Sequence, residues 1–151
     1  MRKGIRILFW IFVVAYSVVV LYKTVFSRPV NEEFNYNLLP FWSYLALMRG
    51  EGVNLWLCNY LNIFLFIPFG ALLRLALGKM QWKMALVYSC TLSLCVELLQ
   101  LVLKRGLCEF DDVFHNVLGS MVGYLTVSMF VQLTVFAWNV IVKRERVTGT
   151  E

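Results

Sequence analysis

Hydrophobic residues along this chain come in long runs rather than at an amphipathic period. Residues 7–22, 55–73 and 113–142 contain no Asp, Glu, Lys or Arg, and residues 84–103 contain only Glu97. A helix needs about 20 mostly apolar residues to cross the hydrocarbon core of a bilayer, and each run supplies roughly that number. The pattern predicts an all-α, polytopic membrane protein. Its four transmembrane helices fall at about 5–26, 54–77, 82–103 and 113–142, within a single membrane domain covering residues 1–151.

The polar residues between and inside these runs refine the picture. Arg2, Lys3 and Arg6 precede the first run as in a secretory signal, but no small-residue cleavage site follows, so an uncleaved first helix is expected. Residues 27–53 form the longest connection. Pro29 and Pro40 interrupt it, and residues 41–49 predict a short interfacial helix with Trp42 and Tyr44 at headgroup level. This loop either covers a site or anchors the chain at the interface. The second span carries Asn54, Asn59 and Asn62 early and Pro68 late, where a kink is expected. Asn59 and Asn62 share a face and serve either as interhelical glue or as part of a polar site. Glu97 and Gln100 share a face of the third span, and Ser89 and Ser93 extend it. Asp111 and Asp112 stand where the fourth helix begins, a position that favours carboxylates. Asp112, Asn116, Gly119 and Gly123 lie on one face of that helix, and the glycine pair allows close approach of another backbone. The polar tail, residues 143–151, is expected to fray.

Composition agrees with the runs. Of 151 residues 60% are hydrophobic and 15% charged, against about 25% charged in a soluble domain. The net charge of +5 does not form a basic stripe, so no nucleic-acid partner is expected; the partner is the lipid bilayer. With four crossings, nine Lys and Arg residues lie on the side of the termini and five on the other, which places both termini in the cytoplasm. Cys58, Cys90, Cys95 and Cys108 have no CxxC spacing, and the three inside apolar runs read as small hydrophobes.

Depth follows from helical rise, about 1.5 Å per residue. Asn62, Glu97 and Asn116 fall in one layer near the outer leaflet, next to the turn that carries Arg105, Asp111 and Asp112. An ionisable group at membrane depth is costly and marks a functional site by default. The candidate binding residues are therefore Asn62, Glu97, Gln100, Arg105, Asp111, Asp112, His115 and Asn116, gathered in a polar pocket open to the outside. Arg105 suits a phosphate or carboxylate, or else pairs with Glu97 or Asp111. The amides suit hydrogen bonding, and the carboxylates suit a cationic or hydroxyl group, directly or through a divalent cation. His115 with Asp111 and Asp112 is the candidate set for metal binding or acid–base chemistry. No Walker loop, HExxH or GxSxG motif accompanies it.

Four blocks in order resemble the VanZ-like family: Asn37-Leu38-Leu39-Pro40-Phe41, Asn62…Phe66-Ile67-Pro68-Phe69-Gly70, Glu97-Leu98-Leu99-Gln100, and Asp111-Asp112…Asn116-Val117-Leu118-Gly119. They cover about residues 35–125. Two positions depart from the family's pattern: Glu109 stands where many members carry aspartate, and His115 where an aliphatic residue is common. The resemblance implies a bacterial cell-membrane protein with polar positions at Asn62, Glu97, Gln100, Arg105, Asp111, Asp112 and Asn116. The founding member is associated with resistance to the glycopeptide teicoplanin, whose lipid tail places it at the outer membrane surface. A function in binding an envelope lipid, a lipid-linked glycan or a lipoglycopeptide, and in glycopeptide resistance, is the resulting expectation. A membrane enzyme acting on such a molecule and a structural membrane subunit are the alternatives.

Overall fold

The computed structural model describes residues 3–51 and 55–148, so Asn54 lies outside the described residues. Among the described residues there are five α-helices: α1 (Lys3–Leu21), α2 (Trp42–Met48), α3 (Leu55–Leu77), α4 (Trp82–Val102) and α5 (Phe110–Thr148). Four segments among them are long and apolar enough to cross a membrane: Lys3–Phe26, Leu57–Leu77, Trp82–Val102 and Phe110–Val142. The fifth helix, α2, is the short one in the first loop. The polar tail that was expected to fray stays helical to Thr148.

The helices form a four-helix bundle. α5 packs most closely on α3 and next on α4, while α1 lies against α3. The α3–α5 contact is set by three glycines. A Cβ on Gly119 would stand 2.1 Å from the Ile63 carbonyl oxygen, one on Gly123 1.9 Å from that of Ile67, and one on Gly70 1.7 Å from that of Ser120. Backbone therefore touches backbone, the close approach that small residues permit between helices in lipid. Phe66, Phe69, Leu73, Val96, Tyr124, Val13, Val20 and Val25 fill the centre. Outward, Val14, Phe64, Leu98, Phe130 and Phe136 are each half exposed or more. On a soluble protein such a belt of large apolar side chains would mark an interaction surface; here it is the lipid-facing wall.

α3 stays helical through Pro68, and the Tyr16 hydroxyl donates to the Leu65 carbonyl beside it at 2.8 Å. α1 closes in a π-helical turn, Tyr22–Phe26. The wider turn presents carbonyls sideways, and two of them, from Thr24 and Phe26, accept side chains from the α4 end.

The loop from residue 27 to 51 folds back over the bundle as a lid. Its strand β1 (Tyr36–Asn37) pairs in parallel with β2 (Cys108–Glu109), with Tyr36 opposite Cys108 and Asn37 opposite Glu109. Val30 bridges Arg105, the Asn31 N–H donates to the Lys104 carbonyl at 2.7 Å, and the Asn31 amide donates to Gly106 at 2.7 Å. The lid is thus stitched to the α4–α5 turn along its length. Two of its residues, Arg28 and Ser43, line a cavity beneath it.

Candidate functional site

Beneath the lid lies a cavity of about 260 Å³, walled by Arg28, Ser43, Cys58, Asn59, Asn62, Glu109 and Asp112 together with Leu61 and Leu107. Each wall has a local origin. Asn59 and Asn62 come from one face of α3. Asp112 comes from the first turn of α5, and Glu109 from β2 just before it. Ser43 opens α2. Arg28 comes from the lid, and its side chain crosses Gly106, where a Cβ would meet the guanidinium at 2.6 Å. Gly106 holds φ +86°, a conformation that favours glycine; turn geometry and the passage of Arg28 therefore require the same residue.

Asp111 and Asp112 are neighbours, and one step along a helix separates their directions by about 100°. Asp112 faces the cavity, within hydrogen-bonding reach of the Asn62 amide. Asp111 faces the lid. Its Oδ1 accepts the Phe41 N–H at 2.5 Å, and its Oδ2 accepts the Ser43 N–H at 3.1 Å and the Ser43 hydroxyl at 2.6 Å. It caps α2 from across the molecule, and it holds Phe41 in the left-handed conformation, φ +59°. Such backbone strain persists only when its surroundings fix it. The Phe41 ring adds an edge-on contact to Phe114, centroids 5.8 Å apart. Ser43 also accepts from Asn59 at 3.2 Å, which ties the latch to the cavity wall.

Under the cavity sits a layer of buried polar side chains. Glu97 is 4% exposed, and its Oε2 accepts the Glu109 N–H at 2.9 Å. The Asn116 amide donates to Ser93 at 3.0 Å, and that of Gln100 to the Thr24 carbonyl at 3.0 Å. Three carboxylates, Glu97, Glu109 and Asp112, share this region, and the Arg28 charge acts on all three. Glu109 lies outside the spans. Burial first, and then the charge of Asp112, pushes its carboxyl up to about 7, against the opposing pull of the Trp42 indole; Asp111 adds a smaller push and Arg28 a smaller pull. The Cys108 thiol is pushed up to about 11 by burial and by the same carboxylates. Among the described residues Asp112 Oδ1, Glu109 Oε1, Asn116 Oδ1 and Gln100 Oε1 have no hydrogen-bond partner, and neither do the Trp42 indole N–H and His115 Nδ1. A buried polar group left unpaired costs about 1–3 kcal/mol, which a ligand or water reaching this end of the bundle would offset.

The eight residues singled out in the sequence divide into three groups. Asn62 and Asp112 line the cavity. Glu97, Gln100 and Asn116 form the layer below it. Arg105, Asp111 and His115 point elsewhere. The Arg105 guanidinium donates to the Phe26 and Arg28 carbonyls at 2.9 and 2.8 Å, so it fastens the lid's base and meets neither Glu97 nor Asp111 in these bonds. His115, fully buried, has its Nε2 2.7 Å from the Tyr44 hydroxyl. Asp111, Asp112 and His115 therefore form no common centre, and among the described residues no three His, Cys, Asp or Glu are placed to hold a metal ion. Arg28, Ser43, Cys58, Asn59 and Glu109 line the cavity as well, outside those eight; of these, the sequence pairs Asn59 with Asn62 as interhelical glue or part of a polar site. The only signal at Arg28 is a basic residue before Pro29, which reads equally well as a topology charge.

A membrane bundle with a strapped polar cavity at one end defines the class: a multi-pass helical membrane protein with a candidate binding site at lid depth. The VanZ/LLP1 family model matches residues 7–135, so the match takes in the first helix as well as the four blocks, and the chain belongs to that family. No curated protein matches the chain. No solved structure matches it either.

Proposed function

We propose that this protein sits in a bacterial cell membrane with both termini in the cytoplasm, and that the cavity under the lid faces outward. There it binds the headgroup of an envelope lipid, a lipid-linked glycan or a lipoglycopeptide, and so contributes to teicoplanin resistance. The observation that carries this reading is the chemistry of the wall. Unpartnered carboxylate oxygens of Asp112 and Glu109 stand in a cavity that also presents the Arg28 guanidinium and the Asn59 and Asn62 amides. Such a wall complements a group rich in hydroxyl or ammonium donors that also carries one anionic centre, which Arg28 would meet. Placing that cavity in a lipid-embedded bundle supports a ligand with an apolar anchor, because anchor and headgroup then reach their own environments together.

Two measurements test the proposal. Expression in a teicoplanin-susceptible bacterium is expected to raise resistance, and Asp112→Ala or Glu97→Ala is expected to abolish the gain at equal membrane abundance. Equal resistance from these variants would remove the cavity from the function. Cys58, exposed at the cavity wall, supplies a direct readout: maleimide labelling of Cys58 should slow when teicoplanin or a lipid-linked sugar is present in micelles. Labelling that ignores both ligands counts against binding.

A further inference from the structure

The end of the bundle opposite the lid carries charge of one sign. Every Asp and Glu whose side chain is described belongs to the lid, the α4–α5 turn or the adjoining ends of α4 and α5. Lys3, Arg6, Arg74, Lys79 and Lys83 lie at the other end, with no carboxylate among the described residues to meet them. Part of this charge surrounds a cavity of about 330 Å³. Arg6 walls it from the start of α1, Leu77 and Gly78 from the end of α3, and Lys79 and Gln81 from the connection to α4. Gly78 holds φ +72°, which favours glycine, and the chain turns there so that Lys79 and Gln81 come round the opening. The Tyr124 hydroxyl accepts the Gln81 N–H at 2.6 Å and fixes that side. The Arg6 Nε donates to the Ala76 carbonyl at 3.3 Å, and among the described residues no acceptor takes its terminal N–H groups. Arg74 does not line the cavity. It is buried, its carbonyl accepts the Gly78 N–H at 3.3 Å, and its Nε donates to Ser128 at 2.9 Å, so a second guanidinium stands one turn behind the wall.

Cations at the ends of spans set topology, and a cation at the end of a helix also meets its last carbonyls. Those roles account for Arg6 and Lys79 one at a time. They neither require the two to flank one cavity nor supply a counter-charge. A second feature adjoins it. An apolar groove of about 420 Å³ begins at the next residue of α1, lined by Ile7, Trp10, Ile11, Val14 and Ala15. Trp10 lies one turn beyond Arg6, and its ring meets Tyr88 of α4 edge-on, centroids 5.3 Å apart, which holds that side of the groove in place. A cationic cavity followed by an apolar strip along a span matches an amphiphile with an anionic head. A soluble anion would use only the cavity. We propose that this end of the bundle binds an anionic phospholipid of the adjacent leaflet, with its phosphodiester in the cavity at Arg6, Lys79 and Gln81 and one acyl chain along the groove from Ile7 to Ala15. Basic pockets between spans take anionic lipid heads in this way. A zwitterionic lipid brings a cation of its own, which Arg6, Lys79 and Arg74 repel, so phosphatidylglycerol is favoured over phosphatidylcholine. The site is at the far end of the bundle from the lid and does not depend on what the cavity under the lid binds.

The test is native mass spectrometry of the full chain in detergent, titrated with dioleoyl-phosphatidylglycerol, dioleoyl-phosphatidylcholine or glycerol 3-phosphate. Phosphatidylglycerol should bind several-fold more tightly than phosphatidylcholine. A Lys or Arg beside an anionic lipid head contributes roughly five-fold in affinity. Lys79→Gln should therefore weaken phosphatidylglycerol about five-fold, and Arg6→Gln with Lys79→Gln more than about ten-fold. Lys23→Gln, an exposed cation at the lid end, should leave it unchanged. Ala15→Trp, which fills the groove, should weaken dioleoyl-phosphatidylglycerol but not the dihexanoyl form. Thermal midpoints separate loss of the site from loss of the fold, and Lys79→Gln, at an exposed position, decides if the Arg6 variant does not fold. Equal affinity for the two dioleoyl lipids would overturn the site, and so would a folded Lys79→Gln protein that binds phosphatidylglycerol as the unaltered protein does. Displacement of phosphatidylglycerol by glycerol 3-phosphate at comparable concentration would overturn the lipid and leave a site for a soluble anion. None of these results bears on resistance or on Cys58 protection, so the two proposals fail separately.

Discussion

α5 carries two buried faces that work in opposite ways. Toward α3 it offers Gly119 and Gly123, and contact is made by removing side chains until backbones meet. Toward α4 it offers Asn116 and Ser120, and contact is made by polar side chains that need partners. In lipid the hydrophobic effect does not drive helices together, so close packing and interhelical hydrogen bonds must do it. The two faces divide those tasks. The glycine face is intolerant of added volume but chemically silent. The polar face is just as buried, and Asn116 Oδ1 on it has no hydrogen-bond partner among the described residues.

That contrast can be broken in order of size. Gly119→Leu should have the largest effect, because its first carbon already collides with the Ile63 carbonyl. A loss of more than about 3 kcal/mol is expected from such overpacking, read as a collapse in the yield of folded protein in detergent. Asp111→Ala should come next. It removes three hydrogen bonds and leaves the strained Phe41 without its partner; a hydrogen bond contributes about 0.5–1.5 kcal/mol, though not additively. The effect should concentrate in the lid, so trypsin cleavage at the exposed Arg49 should accelerate well before the bundle unfolds.

A pH series sharpens the polar side of the comparison. Because the folded-state carboxyl of Glu109 titrates near 7, above its ordinary value of 4.5, the folded protein holds a proton there that the unfolded chain has lost. Its contribution to stability is therefore present below about pH 4.5 and is lost as pH rises toward 7. Thermal midpoints in detergent should fall across that window and then level, and Glu109→Gln should flatten this part of the slope. A slope unchanged in Glu109→Gln would assign it to other groups. Ser89→Ala, which removes the contact to Ser120, should cost only about 0.6 kcal/mol of stability, read as a small drop in the same thermal midpoint. Gly4→Ala, where an added Cβ meets nothing within 4 Å, should be neutral by the same thermal midpoints and sets the floor of the scale.

Much of this molecule is legible in its sequence. The four charge-free or nearly charge-free runs predict the spans, and the Pro40 break followed by Trp42 and Tyr44 predicts the short helix, which the structure places at Trp42–Met48. The GxxxG pair is packed as its spacing suggests. That Asn62, Glu97 and Asn116 fall toward the lid end of the bundle was readable because position along a helix needs only a residue count and a rise per residue. Direction was not readable. Asp111 and Asp112 look alike in sequence, yet one latches the lid and the other lines the cavity. Arg105 and Arg28 look alike as loop cations, yet Arg105 grips the carbonyls at the lid's base while Arg28 reaches the cavity. That exchange depends on the lid pairing with the α4–α5 turn and on the space over Gly106, contacts between segments some 75 residues apart.

By itself, then, the sequence determined that the chain is a four-span helical membrane protein, and toward which end of the spans its polar groups lie, because hydrophobicity and helical rise act locally. Only the tertiary structure decided which of those groups share a cavity, which fasten the lid and which run on as a seam between α4 and α5. Those outcomes depend on helix rotation and on the fold of the lid, and no single segment encodes either one.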